Sequence, residues 1–255
     1  ATPIPRSQGL VEFGGFAISR LHEIHVEKNI RTRIVHADAR SSLMRDVYEA
    51  VVKHGHQCLV VYPLAEADKA QRTNQGLLKS AEGAYAAWEK ILPGRVSLIH
   101  GKMTDDQKSA AIQSLRDRRA DVLVATTVVE VGIDLPDLRY VVVVHPERLG
   151  LTTLHQIRGR AARAGGDGWF DLFLPQSVEA KALERLQVLV DHSDGFEIAH
   201  RDMEIRGFGD LSLRSTDQSG KHSSLFFGVS PSAADMARVL EMMDRPRVSA
   251  GVAPR

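Results

Sequence analysis

The chain has 255 residues, and its 33 Lys and Arg against 32 Asp and Glu leave a formal net charge of +1. That length supports a sizeable core, as one large domain or as one domain with an appendage. An apolar content of 43% excludes wholesale disorder, and the balanced charge excludes a protein that holds polyanions through a global positive field, so any nucleic-acid contact has to come from local placement of cations.

The opening ATPIPRS carries two prolines and is followed by Gly9, Gly14 and Gly15, which reads as a loop entering from upstream sequence. No signal peptide and no apolar run near eighteen residues is present, so the expectation is a soluble, cytoplasmic protein. Thr32 to Ala37 is strand-like. Ser41 to His54 places Leu43, Val47 and Val51 at helical spacing with Gly55 just beyond, and Gln57 to Pro63 is a short apolar strand. Strand, helix, strand in this order favours a parallel sheet with crossover helices. The single cysteine, Cys58, reads as a core residue of that second strand.

The pattern continues with a helix over Ala81–Leu92, a strand over Val96–His100 and a helix over Asp105–Arg118, where Thr104 and Gln107 have capping-box spacing. Strands come next at Asp121–Ala125 and Tyr140–Val144, a helix at Leu154–Ala162, and a strand at Trp169–Leu174 after three glycines. Five or six strands with intervening helices predict a three-layer α/β domain. After Pro175 the character changes to helices at Val178–Val190 and Ile198–Ile205, then the glycine- and serine-rich RGFGDLSLRSTDQSGKHSS. Composition alone leaves that segment as a linker or an ordered functional loop. An amphipathic helix at Ala233–Met243 precedes the tail.

Chemistry concentrates between Val124 and Arg163, in VATTVVEVGID, a strand, and then HQIRGRAAR. Placing Arg160 and Arg163 three residues apart on one helical face would let two guanidinium groups grip a transferring phosphoryl group; the alternative is a pair of solvated helix charges. Gln156, one turn earlier, could reach a ribose, phosphate or water. Asp134 either faces a nucleotide or caps backbone amides. Thr126 and Thr127, at a strand end, suit nucleic-acid phosphates or cap a helix start, and His100 with Gly101 and Lys102 ends a neighbouring strand. His22, His25, His36, His54 and His56 fit no zinc spacing, so no metal is assigned. No GxxxxGK[ST] phosphate loop occurs among the 255 residues, so this chain cannot cradle a triphosphate alone.

These blocks carry a family resemblance. CLVVYPLAEA (58–67), IHGKM (99–103), VATTVVEVGIDLP (124–136) and HPERLGLTTLHQIRGRAAR (145–163) occur in the order found in the RecG family of superfamily 2 DNA helicases, whose nearest relative is Mfd. The resemblance implies the C-terminal half of an ATP-dependent motor that remodels branched DNA, with a three-layer RecA-like fold of the P-loop NTPase type. It implies a remnant of an upstream RecA-like domain at 1–20, a helicase C-terminal domain at 21–176, a helical hairpin and translocation-motif loop at 177–222, and a C-terminal helix and tail at 223–255. By resemblance, Arg163 is an arginine finger with Arg160 as companion. Gln156, Gly132 and Asp134 face ATP, while His100, Gly101, Thr126 and Thr127 face the DNA backbone. DGFEIAHRDMEIRGFGD and DQSG resemble the translocation motif, which makes Arg206, Gly207, Phe208, Gly209, Asp210 and Gln218 coupling residues. ATP and magnesium would be held mainly by the upstream domain, so the expected partners are branched or duplex DNA, that domain and a wedge domain, in a monomer whose isolated fragment is inactive. Three departures stand out: Ala162 replaces a usual glycine, Phe208 enters the RG-x-G loop, and SLRST precedes DQSG. A non-catalytic binding module with a helicase-like shape is the rival reading.

Overall fold

The computed structural model describes residues 27–62, 73–126, 135 and 137–206. These fall into two compact units, one up to Gly195 and one from Phe196 onward. The first is built on six strands: β1 (Lys28–His36), β2 (Gln57–Tyr62), β3 (Val96–Ile99), β4 (Val122–Thr126), β5 (Leu138–Val144) and β6 (Gly166–Leu174). They form one sheet in the order β1-β6-β5-β2-β4-β3, and every neighbouring pair is parallel. Four helices cross over, α1 (Arg40–Val52), α2 (Thr73–Ile91), α3 (Asp105–Arg116) and α4 (Leu151–Arg158), and α5 (Ala180–Asp191) follows the last strand.

Alternation along the strands explains the three layers. Val35, Cys58, Val60, Val122, Val124, Tyr140, Val142, Val144 and Phe173 share one face and pack with Leu43, Val47 and Val51 of α1 and Trp88 of α2. Neighbouring positions such as Leu59, Val61, Leu123, Ala125, Val141, Val143, Phe170 and Leu172 are equally buried, so the central strands are covered on both faces. On the second face α3 packs on β3, where Ser114 and Ser97 share a 2.6 Å hydroxyl contact, and α5 packs on β1. The Thr104–Gln107 capping box forms as the spacing predicted, with both reciprocal bonds present.

One buried charge ties three strands to α1. Asp171, on β6, has a side chain only 1% exposed and accepts Arg33 Nε at 2.7 Å, Arg33 Nη2 at 3.0 Å and the Tyr140 hydroxyl at 2.6 Å. Arg33 also reaches Asp46 of α1 at 2.6 Å. Hydrogen bonding to Asp171 holds the Arg33 guanidinium above its usual range, and burial followed by the Asp171 charge raises the Tyr140 phenol. Removing Arg33 would strand a carboxylate in a nearly dry site. Arg33→Met is expected to lower the unfolding free energy of the 255-residue chain by about 2–3 kcal/mol in urea titration; a loss below about 0.5 kcal/mol would contradict this role for the cluster.

Candidate functional site

The arginine-bearing segment does not remain helical to Ala162 as the sequence suggested. α4 ends at Arg158, and residues 159–164 form turns that lead through Gly165 to the amino end of β6. Arg160 and Arg163 therefore share no helical face, and they lie at the opposite end of the strands from His100 and Thr126. The physical reason is in the turn itself. Ala162 adopts a left-handed conformation with φ 49°, its N–H donates to Leu138 O of β5 at 2.8 Å, and its carbonyl accepts from Gly165 N–H at 2.8 Å. The chain is captured by the sheet before another helical turn can close.

The turn is held at both ends. Lys28 Nζ donates to Gly159 O at 3.4 Å, Gly166 N–H donates to Glu27 O at 3.0 Å, and Arg139 Nη1 donates to Gly165 O. Its underside rests on Gly168, where an added Cβ would stand 3.1 Å from Ala162 Cβ and 3.4 Å from both Ala161 Cβ and Arg139 O. Ala161 and Ala162 are fully buried there, while Arg160 is half-buried and Arg163 exposed. Gln156 is exposed on the last turn of α4.

Arg158, within the same segment, does something the sequence reading did not assign. It is 5% exposed and donates to three carbonyls at the end of α5: Leu189 at 2.6 Å, His192 at 2.9 Å and Ser193 at 3.1 Å. A guanidinium at these last carbonyls satisfies a helix C-terminus and its dipole. Burial lowers its pKa to about 10, and burial first, then the Arg158 charge, lowers that of His155 to about 4. The legible signal was spacing, since Arg158 falls on the buried Leu151–Leu154–Ile157 face of α4. Arg185 of α5 adds a second tie, donating to Glu147 O at 2.7 Å.

At the carboxyl edge, β3 and β4 pair with Ile99 opposite Ala125, which brings His100 and Thr126 side by side. Lys102 N–H donates to His100 Nδ1 at 3.3 Å, so the neutral ring carries its proton on Nε2 and keeps that donor for a ligand. Gly101 is exposed. Thr126 is buried, and its hydroxyl has no hydrogen-bond partner among the described residues, so it is enclosed rather than presented to solvent. Thr127, Gly132, Asp134, Gly207, Phe208, Gly209, Asp210 and Gln218 lie outside the described residues. So do residues 1–20 and the expected helix at 233–243. Arg206 ends a sixth helix, α6 (Gly195–Arg206), on which Arg201 pairs with Glu197 at 3.0 Å and Glu204 at 3.2 Å. Among the described residues no cluster of His, Cys, Asp or Glu could hold a metal ion, and no helix is long and apolar enough to cross a membrane.

Comparison with known proteins gives this geometry its context. Residues 40–165 match the Helicase conserved C-terminal domain family. The chain is 37% identical over 216 residues to the ATP-dependent DNA helicase RecG of Aquifex aeolicus, covering 83% of this chain and 26% of that protein. It is 35% identical over 247 residues to RecG of Escherichia coli K12, covering 95% of this chain and 34% of that protein. The chain belongs to the RecG family. A solved structure of RecG bound to a three-way DNA junction superimposes with a TM-score of 0.66 at 31% identity, over 95% of this chain and 30% of that one. The chain thus spans about a third or less of the RecG proteins it matches. Its six-stranded parallel sheet with flanking helices is the RecA-like C-terminal helicase fold.

The positive φ of Ala162 gives a physical reason for the glycine that the resemblance led one to expect there, since an L side chain in that region costs about 1–2 kcal/mol. Relief of that cost is offset in part by glycine's greater unfolded entropy, so Ala162→Gly should stabilise the chain by about 0.5 kcal/mol. Gly168→Val should destabilise it by about 2–3 kcal/mol, because the turn would have to lift off β6. Urea unfolding of the two variants checks both signs, and an unchanged Gly168→Val midpoint would contradict the close packing of turn on strand.

Proposed function

We propose that this chain is the C-terminal motor half of an ATP-dependent DNA helicase or translocase that remodels branched DNA such as stalled forks and recombination intermediates. The observation that carries the reading is the union of two facts. The chain aligns along 95% of its length with a RecG bound to a three-way junction, and it presents an anchored turn bearing Arg160 and Arg163 without a phosphate loop of its own. A turn tied to β1, β5 and β6 suits a group that must meet charge developing on a phosphoryl oxygen, because preorganised donors cost little reorganisation during reaction.

In this proposal ATP lies between the chain and an upstream RecA-like domain. Arg163 serves as arginine finger, Arg160 as its companion, and Gln156, Gly132 and Asp134 face the nucleotide. Magnesium would be held by the upstream domain and would supply charge neutralisation at the phosphates. His100, Gly101 and Thr127 meet the DNA backbone, His100 through its Nε2–H, and the enclosed Thr126, expected from the sequence as a fourth contact, supports that edge from within. Arg206, Gly207, Phe208, Gly209, Asp210 and Gln218 belong to the loop that converts domain closure into movement on duplex DNA. The organisation proposed is a remnant of domain 1 at 1–20, the motor domain at 21–176, hairpin and loop at 177–222, and a helix and tail at 223–255. The protein works in the cytoplasm as a monomer, and the isolated 255-residue chain hydrolyses little ATP.

The finger assignment has a direct check. Arg163→Ala in the intact protein is expected to lower DNA-stimulated ATP turnover by about 10³-fold or more while DNA affinity changes little. Turnover near the parental level would remove Arg163 from this role.

A further inference from the structure

We infer that a cleft between α1 and the amino halves of β1, β6 and β5 binds a nucleobase that carries an exocyclic amine, with the attached phosphate on Arg31. No residue of the arginine-bearing turn lines this cleft, and its lining lies outside the sequence blocks that carry the RecG resemblance. The inference therefore holds whether or not Arg163 is the finger.

Topology opens the cleft. α1 starts near the carboxyl end of β1 and delivers the chain to the amino end of β2, three places away in the sheet. It crosses the face obliquely, and beside its last turns a space of about 450 Å³ remains. Sites for small ligands occupy roughly 300–1,000 Å³. Register sets the floor: Arg31 pairs with Trp169 and Trp169 with Tyr140, so one row of side chains crosses three strands. Asp46 and Glu49 of α1, with His54 and His56 beyond it, form the wall.

The rings stand in file. Tyr140 and Trp169 lie 6.0 Å apart with planes 10° from parallel, Trp169 and His56 5.6 Å apart at 32°, and His56 and His54 5.6 Å apart at 29°. Burial first, then the His54, Arg139 and Arg118 charges, lowers the pKa of His56, so its ring stacks in the neutral form. Trp169 is only partly buried and His54 is exposed, which leaves aromatic surface for one more ring. Polar groups select that ring. Asp46 uses Oδ2 on Arg33 at 2.6 Å and Glu49 uses Oε1 on Lys53 at 2.9 Å. Three residues apart, they share a face of α1, and each keeps a second oxygen with no partner among the described residues. The two N–H bonds of an exocyclic amine supply a donor to each. Arg31 is exposed and makes no ion pair or side-chain hydrogen bond among the described residues, so its guanidinium is open to a phosphate. Arg31, Arg33 and Lys53 balance Asp46, Glu49 and Asp171, and no field of either sign favours a cation over a neutral ring. A flat neutral ring with an amine on one edge and an anion attached is a nucleotide.

The test is fluorescence of the 255-residue chain carrying Trp88→Phe, which leaves Trp169 as the sole tryptophan emitter. Calorimetry on the parental chain gives the same constants without that substitution. dAMP should quench Trp169 with a Kd of about 1 mM or tighter, and dTMP, whose base lacks an exocyclic amine, should bind at least about fivefold more weakly. Arg31→Gln should weaken dAMP about tenfold and deoxyadenosine less than about twofold, with Tm within about 2 °C of the parent. Glu49→Ala should bring dAMP to within about twofold of dTMP. A ten-nucleotide oligo(dA) distinguishes the two sources of the base: affinity about tenfold or more above that of dAMP identifies single-stranded DNA, and a smaller gain identifies a free nucleotide. No binding of dAMP at about 10 mM or of oligo(dA) at about 1 mM, equal binding of dAMP and dTMP, or parental dAMP affinity in Arg31→Gln would overturn the inference.

Discussion

The site depends on one close approach. Gly168 lacks a side chain, and this lets Ala161 and Ala162 lie directly on β6, with the Arg139 carbonyl equally near. Because the turn sits that low, Ala162 can donate to Leu138 O, Arg139 can reach Gly165 O and Lys28 can reach Gly159 O. A bulkier residue at 168 would lift the turn and weaken all three together. The left-handed alanine is a consequence of this capture, a local strain tolerated because the surrounding contacts over-determine the backbone. Two arginines on an otherwise adaptable turn thereby acquire a fixed base.

The same fold separates two surfaces. The arginine-bearing turn joins the amino end of β6, while Thr126 ends β4 and His100 follows β3 at the carboxyl edge. Between them lies a sheet buried on both faces, whose central strands carry Asp171 locked by Arg33 and Tyr140. Such a sheet transmits displacement as a rigid body, since a close-packed interior has little room to absorb it. At the end of the arginine-bearing turn, α4 and α5 are tied together, because Arg158 caps α5 and Arg185 ties it to the turn before α4. Within the first unit, a shift of the arginine-bearing turn would therefore carry α5 with it.

Much of this was legible from residues. Alternation and helical spacing identified the strands and helices, usually within a few positions, and the Thr104–Gln107 cap was placed correctly. The largest boundary differences came at α2, which starts at Thr73 rather than Ala81, at β1, which starts at Lys28 rather than Thr32, and at α4, which ends at Arg158 rather than Ala162. Apart from Gly159, which caps α4, the residues of HQIRGRAAR suit a helix, and the bond to Leu138 and the contact with Gly168 fix the turn that replaces it. Spacing counted along a helix consequently put Arg160 and Arg163 on one helical face, where the structure has a turn. Lys28 was invisible for a related reason: its partner carbonyl is 131 residues away, and only the β1–β6 pairing makes them neighbours. The resemblance to RecG supplied what neither period nor composition could, namely which of several arginines in one motif to propose as facing a phosphate.

This chain is proposed to be half of a split ATP site. The most direct measurement is ATP hydrolysis by the intact protein and by the 255-residue chain, each with and without a synthetic replication fork. Strong fork-stimulated turnover in the intact protein and essentially none in the chain alone is the predicted result. Absence of turnover in the intact protein would contradict it and leave a helicase-shaped module that binds without working as a motor.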